Sequence, residues 1–304
     1  MTEVLIGAIG DDVTGSTDLA LMLSKHGMSV VQTIGLPRAG EVVRDTQAAV
    51  VALKSRTAPV GQAVADSLAA CDWLLAQGAR QIFFKYCSTF DSTEQGNIGP
   101  VAEALMDRLG AEITIHCPAF PENGRSVYNG HLFVGEDLLS DSGMRHHPLT
   151  PMTDSNLVRF LGRQVRDPKT VALVSYATVE RGPAAIRDRL QELADRKCRH
   201  AVVDALSDRH LLSIGEACAD LRLVTGGSGV AMGLPVNFRR AGLLEHPNPA
   251  LDIGERNVLR GGDDDAAVER ELHGQRHLHV AGAGRKINHQ VVEVTPLNIV
   301  NKLG

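Results

Sequence analysis

The sequence predicts an α/β fold built on a doubly wound, mostly parallel sheet, and three observations carry that prediction. Short apolar runs rich in β-branched residues recur along the chain, each is continuously apolar, and amphipathic stretches of helical period separate them. Continuous apolarity marks strands buried on both faces, and strand-helix alternation supplies the crossovers that parallel pairing needs. The expected strands are 4–9, 29–34, 48–53, 81–84, 112–116, 171–175, 201–203 and 222–225. The expected helices are 16–26, 60–77, 99–109, 154–164, 183–196 and 208–220. The span 118–152 breaks the alternation. Within it, Tyr128-Asn129-Gly130-His131-Leu132 has the turn chemistry of a tight hairpin, so a hairpin-bearing insertion near the ligand edge is expected. From about residue 246 the repeat is lost, which divides the chain into a domain over 1–245 and a short irregular tail over 246–304.

Composition narrows the function classes. With 304 residues, 43% of them hydrophobic, the chain can bury one large core or two medium ones. A net charge of -5, with three Tyr and one Trp, offers neither the basic stripe nor the stacking platforms of a nucleic-acid binder, so nucleic acid is excluded as a partner. The five cysteines are odd in number and contain no C-x-x-C pair, which fits reduced thiols in a cytoplasm better than disulfides or a zinc site. No apolar run approaches the roughly 20 residues of a membrane helix and no leader pattern precedes the first strand, so a cytoplasmic protein without a membrane partner is expected. His273, His277 and His279 lack a companion carboxylate or thiol, and no metal-binding residues are assigned.

The chemistry-bearing residues fall at the carboxyl ends of expected strands, where open α/β sheets receive their ligands. After the first strand, Gly10-Asp11-Asp12-Val13-Thr14-Gly15 places two carboxylates at a helix start. One caps the helix. The surplus carboxylate is available to bind sugar hydroxyls, to hold Mg2+ through water or to take a proton from an attacking hydroxyl. The third strand ends in Leu53-Lys54-Ser55-Arg56-Thr57, where the Arg56 fork matches a carboxylate. The fourth ends in Lys85-Tyr86-Cys87-Ser88-Thr89-Phe90-Asp91, a cation among hydroxyls and a carboxylate, suited to a small polyhydroxylated anion such as a sugar acid. Asn97 precedes a helix and serves either as its cap or as a ligand contact. Gly226-Gly227-Ser228-Gly229 follows a strand and reads either as a phosphate cradle or as a tight connection; it lacks the Lys of a P-loop and the spacing of a dinucleotide fingerprint.

Taken together, these motifs, with Gly96-Asn97-Ile98-Gly99-Pro100, Cys117-Pro118-Ala119-Phe120-Pro121 and His147-Pro148-Leu149-Thr150-Pro151-Met152, resemble the four-carbon acid sugar kinase family over residues 1–244. The resemblance implies an N-terminal sugar-acid-binding domain, a C-terminal nucleotide-binding domain, and transfer of the ATP γ-phosphate to the 4-hydroxyl of a tetronate with Mg2+ bridging the phosphates. Within the pocket it implies, side-chain chemistry assigns Asp12 to the acceptor hydroxyl as base or orienter. The resemblance places Asp12, Arg56, Lys85, Ser88, Thr89, Asp91 and Asn97 around the sugar acid and Gly226, Gly227, Ser228 and Gly229 on the nucleotide side; Asp11, Thr14 and Ser55 are expected as further substrate contacts, and the charges of Arg56 and Lys85 assign them to its carboxylate. The resemblance fades near Glu245, so a truncated or divergent remnant of the nucleotide-binding domain is expected beyond it, one origin being a reading-frame change near Glu255. Two functional readings follow: a sugar-acid kinase, which a homo-oligomer or a complementing nucleotide-binding chain would complete, and a non-catalytic sugar-acid-binding protein without an ATP site.

Overall fold

The computed structural model describes residues 3–38 and 40–245, together with the backbone of 258–260 and 291–293. All eight expected strands form: β1 (Ile6–Gly10), β2 (Val30–Ile34), β3 (Ala48–Ala52), β4 (Gln81–Lys85), β5 (Thr114–Cys117), β9 (Val171–Val174), β10 (His200–Val203) and β11 (Leu223–Gly226). They pair in the parallel order β2-β3-β1-β4-β11-β5-β10-β9. The expected helices appear as α1 (Val13–Lys25), α2 (Val60–Ala76), α3 (Ile98–Leu109), α4 (Leu157–Gly162), α6 (Pro183–Asp195) and α7 (Asp208–Ala217). Two short helices, α5 (Tyr176–Val179) and α8 (Pro235–Arg240), are additional. Helices α2, α3 and α4 cover one face of the sheet, and α1, α6 and α7 cover the other.

The insertion holds a small antiparallel sheet of β6 (Arg125–Tyr128), β7 (His131–Val134) and β8 (Asp137–Leu138). Asn129 and Gly130 both take positive φ (47° and 73°) at its hairpin turn, as the Asn-Gly pair leads one to expect. Asp204, just beyond β10, fastens that turn. Its buried carboxylate accepts from the amides of Asn129 and Gly130 at 2.8 Å and of Tyr176 at 2.7 Å.

Where the tail was expected to be irregular, the backbone forms β12 (Val258–Arg260), parallel to β2, and β13 (Val291–Glu293), antiparallel to β12. β2 leaves an open sheet edge, and short β-branched runs are what such an edge recruits. The three histidines and the rest of the expected nucleotide-binding remnant lie outside the described residues.

Candidate functional site

Strand register sets the site. Ala52, Gly10, Lys85, Gly226 and Cys117 stand in one row across β3, β1, β4, β11 and β5, so the loops that follow them open on one edge of the sheet. The chain crosses from β3 to β4 over β1, which makes this a topological switch point.

Arg56 is the hub. Its Nε and Nη2 grip Asp11 Oδ2 and Oδ1 at 2.9 and 3.0 Å, Nη2 also reaches Asp12 Oδ1 at 2.8 Å, and Nη1 lies 3.6 Å from Asp91 Oδ2. The fork expected for a ligand carboxylate is thus filled by Asp11 of the same chain, because β3 lies beside β1 and the backbone amides of Ser55 and Arg56 donate to Asp11 O. Burial pushes the Asp11 carboxyl above its ordinary range, against the pull of the Arg56 charge. The capping role falls to Asp12, whose Oδ1 accepts from Gly15 N at 3.1 Å. Asp91 Oδ1 takes the Thr89 hydroxyl at 2.5 Å.

Lys85 is 3% exposed. Its ammonium donates to Tyr86 O at 2.7 Å and has no carboxylate within 4.0 Å among the described residues. It lies at the start of α1: a Cβ on Gly15 would stand 2.6 Å from Nζ and 2.5 Å from Asp12 Oδ1, which explains the glycine. The buried cation stands beside the positive end of a 13-residue helix, with the Asp11 and Asp18 carboxylates within its electrostatic reach.

Asn97 precedes α3 but makes no side-chain cap. Its Nδ2 instead ties down the loop after β3, at 2.6 Å from Ser55 O and 2.9 Å from Ala58 O, and its buried Oδ1 has no partner among the described residues. The structure thus joins Asp11, Asp12, Ser55, Arg56, Thr89, Asp91 and Asn97 in one network beside Lys85. Ser88 is half-buried and Thr14 exposed, on the two flanking loops.

One positioning residue escaped the sequence reading. Gln164, buried just after α4, donates to Ser92 Oγ at 2.8 Å and Thr93 O at 2.5 Å and accepts from Gly99 N at 2.8 Å, pinning both ends of the loop between Asp91 and α3. Its neighbour Gly99 is fixed by that contact, since a Cβ there would stand 2.6 Å from Gln164 Cβ. Gln164→Ala is expected to cost about 2–3 kcal/mol in urea unfolding and to speed amide exchange at 93–99, because it strips partners from buried backbone groups.

Gly226, Gly227 and Gly229 are explained by packing. A Cβ on each would stand 2.3 Å from Cys117 O, 2.6 Å from Pro118 O and 2.9 Å from Ala119 O respectively, and Ser228 between them is buried. The turn is a tight connection against the exit of β5, and the cradle expected for phosphate is occupied on that side by the chain's own backbone. The acids of the site likewise surround a guanidinium, and among the described residues no group of three or more His, Cys, Asp or Glu could hold a metal ion. The described residues therefore do not fit ATP or Mg2+.

Fold and site define a class: a doubly wound α/β domain with a charged crevice at the switch point of its sheet. The chain belongs to the family described as the sugar-binding N-terminal domain, whose pattern matches residues 6–234. It is 58% identical over 251 residues to a 3-oxo-tetronate kinase of Cupriavidus necator, covering 82% of this chain and 58% of that protein. With the 3-oxo-tetronate kinase of Escherichia coli it shares 45% identity over 90% of this chain and 70% of that one. The chain thus spans somewhat under two thirds of the length of the first of these relatives. Among solved structures, a Haemophilus influenzae protein of the DUF1537 family superposes with a TM-score of 0.74 at 45% identity, over 80% of this chain and 57% of the other. A DUF1537 domain of Bordetella bronchiseptica, solved with bound citrate as a domain-swapped dimer, superposes with a TM-score of 0.65 at 27% identity, over 78% and 57%. No helix among the described residues is long and apolar enough to cross a membrane.

Proposed function

We propose that this chain is the sugar-acid-binding part of an ATP-dependent kinase that phosphorylates the 4-hydroxyl of 3-oxo-tetronate or a related tetronate. The observation that carries the reading is the Lys85 ammonium, buried beside the start of α1 without a carboxylate partner among the described residues. Such a spot favours an anion, and the hydroxyls and carboxylates of the neighbouring loops suit a polyhydroxylated one. The names of the relatives supply the particular acid and the reaction.

Lys85 holds the tetronate carboxylate, and Arg56 Nη1, whose sister nitrogens are engaged, adds a second donor beside it. Asp12 Oδ2, free of the cap and of Arg56, meets the acceptor hydroxyl as orienter or base. Ser55, Ser88, Thr89 and Asn97 Oδ1 take the remaining hydroxyls, Thr14 lies at the rim, and Asp11 and Asp91 fix the Arg56 plane. ATP and Mg2+, which the described residues do not fit, would be held by a nucleotide-binding part of the kinase or by a complementing chain. The free state of the cysteines fits a cytoplasmic setting.

The test is calorimetric titration with 3-oxo-tetronate, erythronate and threonate beside an ATP-dependent phosphorylation assay. Wild type should bind at least one of the acids, and Lys85→Met should weaken that binding about 100-fold, at the upper end of what a charge-assisted contact contributes. Equal affinity in the two proteins refutes the reading. Saturable binding without turnover, even with a nucleotide-binding partner supplied, assigns the chain to binding alone.

A further inference from the structure

A row of polar side chains crosses the sheet beneath α3, one from each of four neighbouring strands. Tyr86, one residue past β4, leads to Thr225 of β11, His116 of β5 and His200 of β10, and the row ends at Glu103 of α3. All five are buried.

Glu103, held by the backbone amide and Nε of Arg166, lies 4.0 Å from His200 Nε2, which is buried without a hydrogen-bond partner among the described residues. His200 Nδ1 and His116 Nε2 share a hydrogen bond at 3.1 Å, and His116 Nδ1 lies 3.2 Å from the Tyr86 hydroxyl and 3.1 Å from Thr225 Oγ1. Thr225 donates its one proton to Ile115 O at 2.7 Å and offers a lone pair to Tyr86 at 3.1 Å. The phenol oxygen thus has two hydrogen-bond partners, Thr225 Oγ1 and His116 Nδ1. Burial holds both imidazoles below their ordinary pKa, which keeps them neutral.

Tyr86 also works on the opposite face. Its amide donates to Gly226 O at 3.1 Å, and its carbonyl is the hydrogen-bond partner of the Lys85 ammonium. The ring is wedged edge-on between Phe84 and Phe90 at centroid distances of 5.6 and 5.2 Å. A phenylalanine would fill that wedge; the hydroxyl adds a hydrogen-bonded hold at the far end of the ring.

We propose that Tyr86 is a positioning residue for Lys85, its phenol anchored by the row through His116 and His200 and its carbonyl setting where the ammonium stands. That Lys85 meets a sugar acid rests on the proposed function; that Tyr86 holds Lys85 does not. The test is NMR of the 304-residue chain labelled with 15N-lysine, the Lys85 ammonium signal being assigned by its loss in Lys85→Met. Wild type should show a slowly exchanging ammonium. Tyr86→Phe should speed its exchange and weaken tetronate binding, each by about tenfold, the size of one lost hydrogen bond. Thr225→Val, nearly isosteric, removes one of the phenol's two partners and should move both readouts the same way if Tyr86→Phe fails to fold. Unchanged Lys85 exchange in the folded variant overturns the proposal. Tetronate affinity unaffected by Lys85→Met refutes the function instead and leaves the exchange result to decide the role of Tyr86.

Discussion

Arg56→Leu is expected to lower the stability of the protein by about 3–5 kcal/mol, the cost of breaking a buried ion pair from one side. Asp11 is almost wholly inside, and Arg56 supplies both hydrogen bonds to its carboxylate oxygens. Removing the guanidinium leaves a buried charge facing Asp12 and Asp91, which the same group also serves. For a protein of this size that loss corresponds to a melting point lower by roughly 10 °C. The deficit should shrink as pH falls, because burial already raises the Asp11 pKa and protonation removes the stranded charge. Asp11→Asn combined with Arg56→Leu should recover part of the loss at neutral pH. Calorimetric melts of the two variants between pH 8 and pH 5 decide it, and an Arg56→Leu melt within about 2 °C of wild type, roughly 1 kcal/mol, would overturn the argument.

The second large effect is acid lability seated in the histidine row. Burial, reinforced by Arg199 and Arg166, lowers the His200 pKa to about 4, and burial with His200 alongside lowers that of His116 well below its usual 6.5. A basic group depressed in the fold contributes stability that is complete above its unfolded pKa and is lost as pH falls toward the folded one. The window therefore runs from about pH 6.5 to 4. His200 alone should cost on the order of 3 kcal/mol across it. Asp107, which is exposed, and Asp154, which is buried, are held below 3.8 by their arginine partners and respond only in stronger acid, while Asp11, Asp18 and Asp204, raised by burial, act in the opposite sense. Urea unfolding at pH 7 and pH 5 should show a clear fall in midpoint, and His200→Leu should flatten it. An equal slope in the variant would place the acid response elsewhere.

How far the sequence reached differs between fold and site. All eight strands were legible because runs such as Ala49-Val50-Val51-Ala52 and Ile82-Phe83-Phe84 are apolar on both faces. Strand order was not, since nothing in 223–226 says that β11 inserts between β4 and β5. In the site, the polar strand ends were visible, but the partner of Arg56 was not: Asp11 lies 45 residues away, and only the pairing of β1 with β3 brings them together. Gln164, Asp204, His116 and His200 were missed for a shared reason. Each is a polar residue at the end of or inside an apolar element, where single-residue chemistry reads as surface or noise. The available signal was the polarity of Thr114, His116 and Thr225 at positions that continuous apolarity would fill with aliphatic side chains.

The grip of Asp204 on the hairpin turn bears on how a ligand would enter. A hairpin fastened only at its base is a flap, free to swing and paid for in ordering when something arrives beneath it. This one is riveted at its tip, by two amides to a carboxylate that also holds the start of α5. It stands at the carboxyl edge of the sheet as a fixed wall. The shape of the entrance on that side is decided at folding, and a ligand meets it ready-made.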